Sequence, residues 1–276
     1  VKLLGPAEIR DLAELLDLQP TKKLGQNFVH DANTVRRIVK TAGVTDADTV
    51  LEIGPGLGSL TLGILETGAR MVAIEIDKRL AQQLPLTLET AAPGESPELT
   101  VVREDALRVD SLPVDPTVLV ANLPYNISVP VLLHALERFP SLERGLVMVQ
   151  AEVGYRLAAA PGSKVYGSPS VKAAWYGDFR IAGQISRQVF WPVPNVDSVL
   201  VGFEKHPAPG AEEERLATFA VVDAAFGQRR KMLRQSLAGL VGDSATASAK
   251  LEAAGVAPTA RGEELTMDDF LRIARA

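Results

Sequence analysis

Along the first three quarters of the chain, short apolar runs alternate with stretches in which apolar residues recur at helical spacing. Thr49-Val50-Leu51, Arg70-Met71-Val72-Ala73-Ile74, Leu99-Thr100-Val101-Val102 and Val118-Leu119-Val120-Ala121 read as buried strands, and Leu60 to Leu65 follow the first of them with helical spacing. The alternation runs from about residue 34 to 205. It predicts an α/β class with one doubly wound sheet, closing in an antiparallel hairpin around 179–185 and 198–204. His206-Pro207-Ala208-Pro209-Gly210 is a turn-rich break, after which the pattern is helical over 212–226, 228–238, 244–254 and 266–274. Asp268 and Asp269 suit the first turn of the last of these helices. The expected organisation is an N-terminal extension (1–20), a sheet domain (21–205) and a small all-α domain (211–276). Residues 91–97, rich in Pro, Gly and Ser, read as a surface loop, and no internal repeat is evident.

The strand at 49–51 leads into Glu52-Ile53-Gly54-Pro55-Gly56-Leu57-Gly58. Three glycines in a strand-to-helix turn allow positive φ and a close approach of backbone to a ligand. A plain turn has the same composition, so the run alone is weak. The next strand ends in Glu75, followed by Ile76, roughly 20 residues beyond the glycines, where an acidic residue accepts ribose hydroxyls in nucleotide-binding sheets. A solvated strand-end glutamate is the plain alternative. A dinucleotide fingerprint needs Gly-x-Gly-x-x-Gly, whereas here the third glycine comes one position early and Ser59 takes its place. Asp105-Ala106, past the strand at 99–102, offers a further acceptor suited to an adenine amine.

Asn122-Leu123-Pro124-Tyr125 follows the fourth strand, at the sheet edge where ligands gather. The exocyclic amine of adenine is a poor nucleophile because its lone pair is delocalised into the ring. A site that accepts hydrogen bonds from both N–H groups favours a more tetrahedral, more nucleophilic nitrogen. The Asn122 amide oxygen and a backbone carbonyl near Leu123 supply two acceptors, Pro124 restricts the loop, and Tyr125 offers a stacking face. Such dipoles also favour the positive charge that develops on nitrogen. An Asn-Pro-type turn with a buried tyrosine is the alternative.

Several stretches carry a family resemblance: Lys23-Leu24-Gly25-Gln26-Asn27-Phe28, Glu52 to Gly56, Glu75-Ile76-Asp77, Asn122 to Tyr125, Phe190-Trp191-Pro192-Val193-Pro194-Asn195-Val196-Asp197-Ser198, and 226–237. Through these the chain resembles the ribosomal RNA adenine N6,N6-dimethyltransferases, a group that includes the erythromycin-resistance methylases and mitochondrial transcription-factor relatives. It is most similar to the small-subunit branch, which dimethylates two adjacent adenosines in the 3′-terminal RNA hairpin. The resemblance implies a Rossmann-like S-adenosylmethionine methyltransferase sheet with a small C-terminal all-α domain. It implies that Asn27 and the backbone of Val29, where the family often has leucine, contact the methionine end of the cofactor. Gly54, Gly56 and Gly58 would hold the methionine portion, Glu75 and Ile76 the ribose side, and Asp105 and Ala106 the adenine. Asn122 would face both sulfonium and target amine, and Phe190 would sandwich the target base with Tyr125. From the residues alone, Phe190 beside Trp191 reads as core.

The net charge of −5 argues mildly against a nucleic-acid partner, but RNA affinity depends on local patches. Lys22, Lys23, Arg36, Arg37 and Lys40 form one cluster, and Arg229, Arg230, Lys231 and Arg234 another, the latter expected on one helix with Arg230 and Arg234 on a shared face. A solvated helix face is the usual reading of such a cluster; the Gln-Arg-Arg-Lys match to the family favours an RNA-binding role and a basic cleft between the domains. With no cysteine, disulfides and thiolate metal sites are excluded, which fits a reducing, cytoplasmic setting. His30, His134 and His206 share no ligand spacing, so no metal is expected. Neither a membrane span nor a signal-peptide apolar region is apparent. The expected partner is small-subunit RNA in a premature 30S-type particle, met by a monomer. Three rivals share parts of the pattern: a DNA N6-adenine methylase, a large-subunit RNA methylase conferring macrolide resistance, and a ribosome-assembly factor with secondary methylation.

Overall fold

A computed structural model describes residues 1–19 and 26–276, so Lys22 and Lys23 lie outside the described residues. The chain divides into two compact units, Val1–Gly154 with Arg180–Lys205, and Tyr155–Phe179 with His206–Ala276.

The first unit begins with α1 (Pro6–Leu15), β1 (Phe28–Val29) and α2 (Ala32–Ala42), and continues through β2 (Thr49–Ile53), α3 (Ser59–Leu65), β3 (Arg70–Ile74), α4 (Lys78–Ala91) and β4 (Leu99–Val102). After β5 (Val118–Asn122), α5 (Ser128–Arg138) and β6 (Arg144–Gln150), α6 (Ala151–Leu157) leads into the second unit. Seven strands form one sheet in the order β4-β3-β2-β5-β6, then β9 (Ser198–Lys205) and β7 (Gly177–Ile185). The first five are mutually parallel, and β9 runs antiparallel to β6, with Gln150 opposite Ser198. Winding reverses between β2 and β5, and a crevice opens there at the carboxyl ends of the strands. Side-chain caps set where helices start: Asp31 accepts from Thr34 N, and Asp77 from Arg79 N and Leu80 N. A short sheet pairs β1 with β8 (Phe190–Trp191), placing Phe28 opposite Trp191.

The expected α/β class and strand–helix alternation are present; the expected domain bounds differ from the observed units. Residues 1–18 are not an appendage. Leu3, Leu4, Ile9, Ala13 and Leu18 are buried in the same apolar cluster as Val50, Val118 and Leu146 of the sheet, because Ile9 and Ala13 lie one helical turn apart on α1. Residues 155–179, expected in the sheet domain, belong to the helical unit. Tyr166 and Val171, the latter on α7 (Ser168–Tyr176), are buried with Val222 and Phe270, and the Tyr166 hydroxyl donates to Leu265 O at 2.6 Å.

The second unit also contains α8 (Glu212–Gly227), α9 (Leu233–Ser236), α10 (Ala238–Val241), α11 (Ser244–Ala253) and α12 (Met267–Arg275). Thr266 caps α12, with Asp268 and Asp269 in its first turn. The single helix expected over 228–238 is replaced by a turn followed by two short helices. Leu233 N and Arg234 N donate to Ala260 O (2.8 Å) and Pro258 O (3.1 Å), drawing the backbone out of the helical hydrogen-bond ladder. Arg230 and Arg234 therefore do not share a helix face.

Candidate active site

The crevice is a cleft of about 250 Å³ in the first unit, walled by the 26–29 segment, the glycine turn, Glu75-Ile76, 104–107 and the loop after β5. Its size suits a nucleoside-sized ligand with a few placed polar groups.

Three glycines in the turn have positive φ, 71° (Gly54), 58° (Gly56) and 101° (Gly58), and the first two line the cleft. A Cβ on Gly56 would lie 3.1 Å from the Phe28 ring, so the turn and β1 are in close contact. Gly58 does not line the cleft; it caps α3 in a left-handed conformation, with Leu84 Cδ1 2.8 Å from where its Cβ would be. Ser59 pins the wall, its hydroxyl donating to Val29 O. Phe28 stacks on Trp191, with ring centroids 6.4 Å apart and planes at 22°.

Two buried carboxylates lie under this turn. Glu75, just past β3, accepts Gly56 N at Oε1 and Asp77 N at Oε2, each at 3.1 Å. Burial, aided by the Asp77 charge, pushes its carboxyl up to about 7 against those two bonds. Glu52, 1% exposed, accepts the Thr61 hydroxyl. Burial and the Glu75 charge push it up to about 8. Across the cleft, Asp105 Oδ1 accepts Leu107 N at 3.0 Å, while Ala106 and the exposed Ile76 present apolar surface.

Asn122 closes the other wall. Its Nδ2 donates to Asn27 O at 3.2 Å, which fixes the amide plane, and its buried Oδ1 has no hydrogen-bond partner. The side chain lines the cleft. Leu123 anchors the loop, its side chain 1% exposed and its N–H donating to Met148 O at 3.1 Å. Pro124 packs over the glycine turn, 3.7 Å from where a Gly54 Cβ would be. Tyr125 is half-buried, and its hydroxyl is 2.6 Å from Ser198 Oγ.

The structure thus gathers Asn27, Val29, Gly54, Gly56, Glu75, Ile76, Asp105, Ala106, Asn122 and Pro124 around one cleft. Gly58, Leu123 and Tyr125 lie outside its lining, as does Phe190. At 0% exposure it belongs to the apolar core, so its ring presents no open face to a base; the plain reading from sequence, core, describes its position. Sequence reasoning passed over Leu107, partly exposed and lining the cleft beside Asp105, for which an apolar residue after an acidic strand end was the available signal. It also gave no role to Ser59, although the displaced glycine register had singled it out.

The expected basic cluster is heterogeneous. Arg229 donates to Tyr166 O and, at 2.9 Å, to Lys164 O, pairs with Glu263 at 3.0 Å and lies over the Phe226 ring, so it braces the helical unit. Arg230 and Lys231 are exposed, and Arg234 is half-buried. Near the start of the chain, Arg36 pairs with Glu66 at 3.1 Å and Arg37 donates to Gln184 O at 2.7 Å. Among the described residues, no group of His, Asp and Glu could hold a metal ion, and no helix is long and apolar enough to cross a membrane.

Known proteins are similar to this chain in sequence and in fold. A relative named "Ribosomal RNA small subunit methyltransferase A" from Leifsonia xyli subsp. xyli is 69% identical over 275 residues, covering 99% of this chain and 98% of that protein. One of the same name from Streptomyces avermitilis is 59% identical, covering 99% and 93%. A dimethyladenosine transferase from Plasmodium falciparum shares the fold, with TM-score 0.73 and 22% identity over 89% of this chain and 95% of that one. The 23S rRNA methyltransferase ErmE superposes with TM-score 0.65 and 25% identity, covering 90% and 98%. The family model described as ribosomal RNA adenine dimethylase matches residues 18–276, from just past α1 to the last residue, and the chain belongs to that family.

Proposed function

We propose that the protein dimethylates N6 of adenosine in small-subunit ribosomal RNA, at two adjacent adenosines of the 3′-terminal hairpin, with S-adenosylmethionine as methyl donor. The substrate is the RNA of a premature small subunit, met in the cytoplasm by a monomer. The relative at 69% identity carries the small-subunit name, which favours this RNA over that of the large subunit. The observation that carries the chemistry is Asn122: an amide oriented by the Asn27 carbonyl, with a buried oxygen left unpaired in the cleft wall. Leaving such an acceptor unpaired costs about 1–3 kcal/mol, and a ligand N–H recovers it.

The residues present fit the donor. Each Glu75 oxygen accepts one backbone N–H and keeps a lone pair for a ribose hydroxyl. Asp105 uses Oδ1 for Leu107 N, leaving Oδ2 for an adenine amine. The close approach at Gly56 lets backbone line the methionine portion. When bound, S-adenosylmethionine supplies a methyl group already activated by its sulfonium.

Asn122 Oδ1 and a neighbouring backbone carbonyl accept the two N–H groups of the target amine and orient its lone pair toward the cleft. Their dipoles stabilise the positive charge that grows on nitrogen. Positioning supplies most of the rate. No general base is required, since the alkylated nitrogen loses its proton to water. The adenosine leaves its stack to reach the site, and Tyr125 offers the ring face. Exposed Arg230 and Lys231, with Arg234, neutralise RNA phosphates.

Tritiated-methyl transfer to undermethylated small subunits, mature small subunits and large subunits, followed by nucleoside analysis, tests this reading. Dimethyladenosine confined to the undermethylated small subunits is expected. Label in large-subunit RNA would reassign the substrate, and no label despite donor binding would point to an assembly role.

A further inference from the structure

Tyr125 and Ser198 come from stretches 73 residues apart, and a single hydrogen bond joins them. Their surroundings are unequal. Tyr125 sits half-buried in the loop after β5, whereas Ser198 is 0% exposed at the first position of β9. Ser198 lies opposite Gln150 of β6, is followed by the buried Val199 and Leu200, and is preceded by Asp197, whose carbonyl accepts Ala151 N at 3.0 Å. The serine is therefore a fixed point in the sheet, and the tyrosine is the member of the pair free to swing.

A tyrosine in a loop is tethered at its Cβ, and its ring tilts about two side-chain torsions. A bond at the far end of the ring removes that freedom. A serine hydroxyl in an apolar strand is also costly unless paired, and alanine would fill the position with no polar atom to satisfy. We infer that Ser198 is a positioning residue for base recognition: its hydroxyl fixes the tilt of the Tyr125 ring, and hence the plane in which the target adenine is presented to Asn122. This rests on the methyl-transfer reading above. Tyr125, on this account, works as a preset platform, and the second transfer meets the same ring geometry as the first.

The test is a double-mutant cycle of Tyr125→Phe and Ser198→Ala. Single-turnover methylation is measured at saturating S-adenosylmethionine. Base stacking is followed by the fluorescence of 2-aminopurine placed at the target position. Each single variant is expected to slow transfer by about 3- to 10-fold, the loss of one hydrogen bond, and to reduce the fluorescence quench. The double variant is expected to be no slower than either single one, with unchanged donor affinity in all three. Multiplicative losses, or slow transfer with an unaltered quench, would overturn the inference. If Ser198→Ala melts early, Tyr125→Phe removes the same bond from the loop side, and wild-type rate and quench in that variant would equally overturn it. Failure of the wild-type protein to label adenosine at all would instead reject the methyl-transfer reading itself.

Discussion

Replacing Glu52 with glutamine tests how the buried carboxylates couple the cleft to pH. Glu52 titrates at about 8 in the folded protein against an ordinary value of 4.5, because burial and the Glu75 charge outweigh the Thr61 hydrogen bond. Between those two values the folded state keeps a proton that the unfolded chain has released, so stability falls as pH rises. Below 4.5 both states hold the proton and the penalty is absent; above about 8 it stays at its full value. Inside the window the slope is about 1.4 kcal/mol per pH unit, so from pH 5.5 to 7.5 this residue withdraws roughly 3 kcal/mol. Glu52→Gln keeps the shape and the Thr61 contact but cannot ionise. Glu75, pushed up to about 7, contributes a similar slope to both proteins and largely cancels in their difference. Urea denaturation at pH 5.5 and 7.5 should show the variant gaining roughly 3 kcal/mol on the wild type between the two conditions. A stability difference that does not change with pH would refute the assignment of a neutral, buried Glu52.

Asn122→Ala should lower methyl transfer by at least about 100-fold while leaving RNA binding in a filter assay largely intact, since the side chain acts on the reacting amine. Unchanged turnover would remove its role. Glu75→Ala should raise the S-adenosylmethionine dissociation constant by about tenfold or more in isothermal titration, through the lost ribose acceptor and the freed Gly56 and Asp77 amides. Gly58→Ala should destabilise the protein by about 1–2 kcal/mol in urea, because a side chain at φ 101° is strained and its Cβ would displace Leu84. Arg229→Ala should lower the melting temperature through its lost carbonyl bonds and Glu263 pair, whereas Arg230→Ala should leave melting unchanged and weaken RNA binding in a salt-dependent way.

Much of the fold was legible because buried strands are short apolar runs and their helices repeat at another period. The local signals of the cleft were legible for a related reason: glycines at a strand–helix turn, an acidic residue ending the next strand and Asn-Leu-Pro-Tyr ending a fourth each carry their chemistry in a few adjacent residues. The helix expected over 228–238 failed because Ala260 and Pro258 compete for its amide groups, and those carbonyls are distant in sequence. The extension expected at 1–20 failed similarly, since nothing local says that Ile9 and Ala13 meet the sheet core.

The sequence by itself marked β2 to β5, β7 and β9, and it singled out the residues proposed to bind a nucleoside and an amine. Periodicity and local composition encode all of these. Tertiary structure alone decided that Asn27 O turns the Asn122 amide so that its oxygen is left unpaired, and that Ser198 reaches Tyr125. It also decided that Glu52 is buried beside Glu75, whose charge adds to burial in raising the Glu52 carboxyl. Each of these depends on distance between chain-remote atoms and on exclusion of water, and neither quantity exists until the sheet is wound and the cleft closes around its walls.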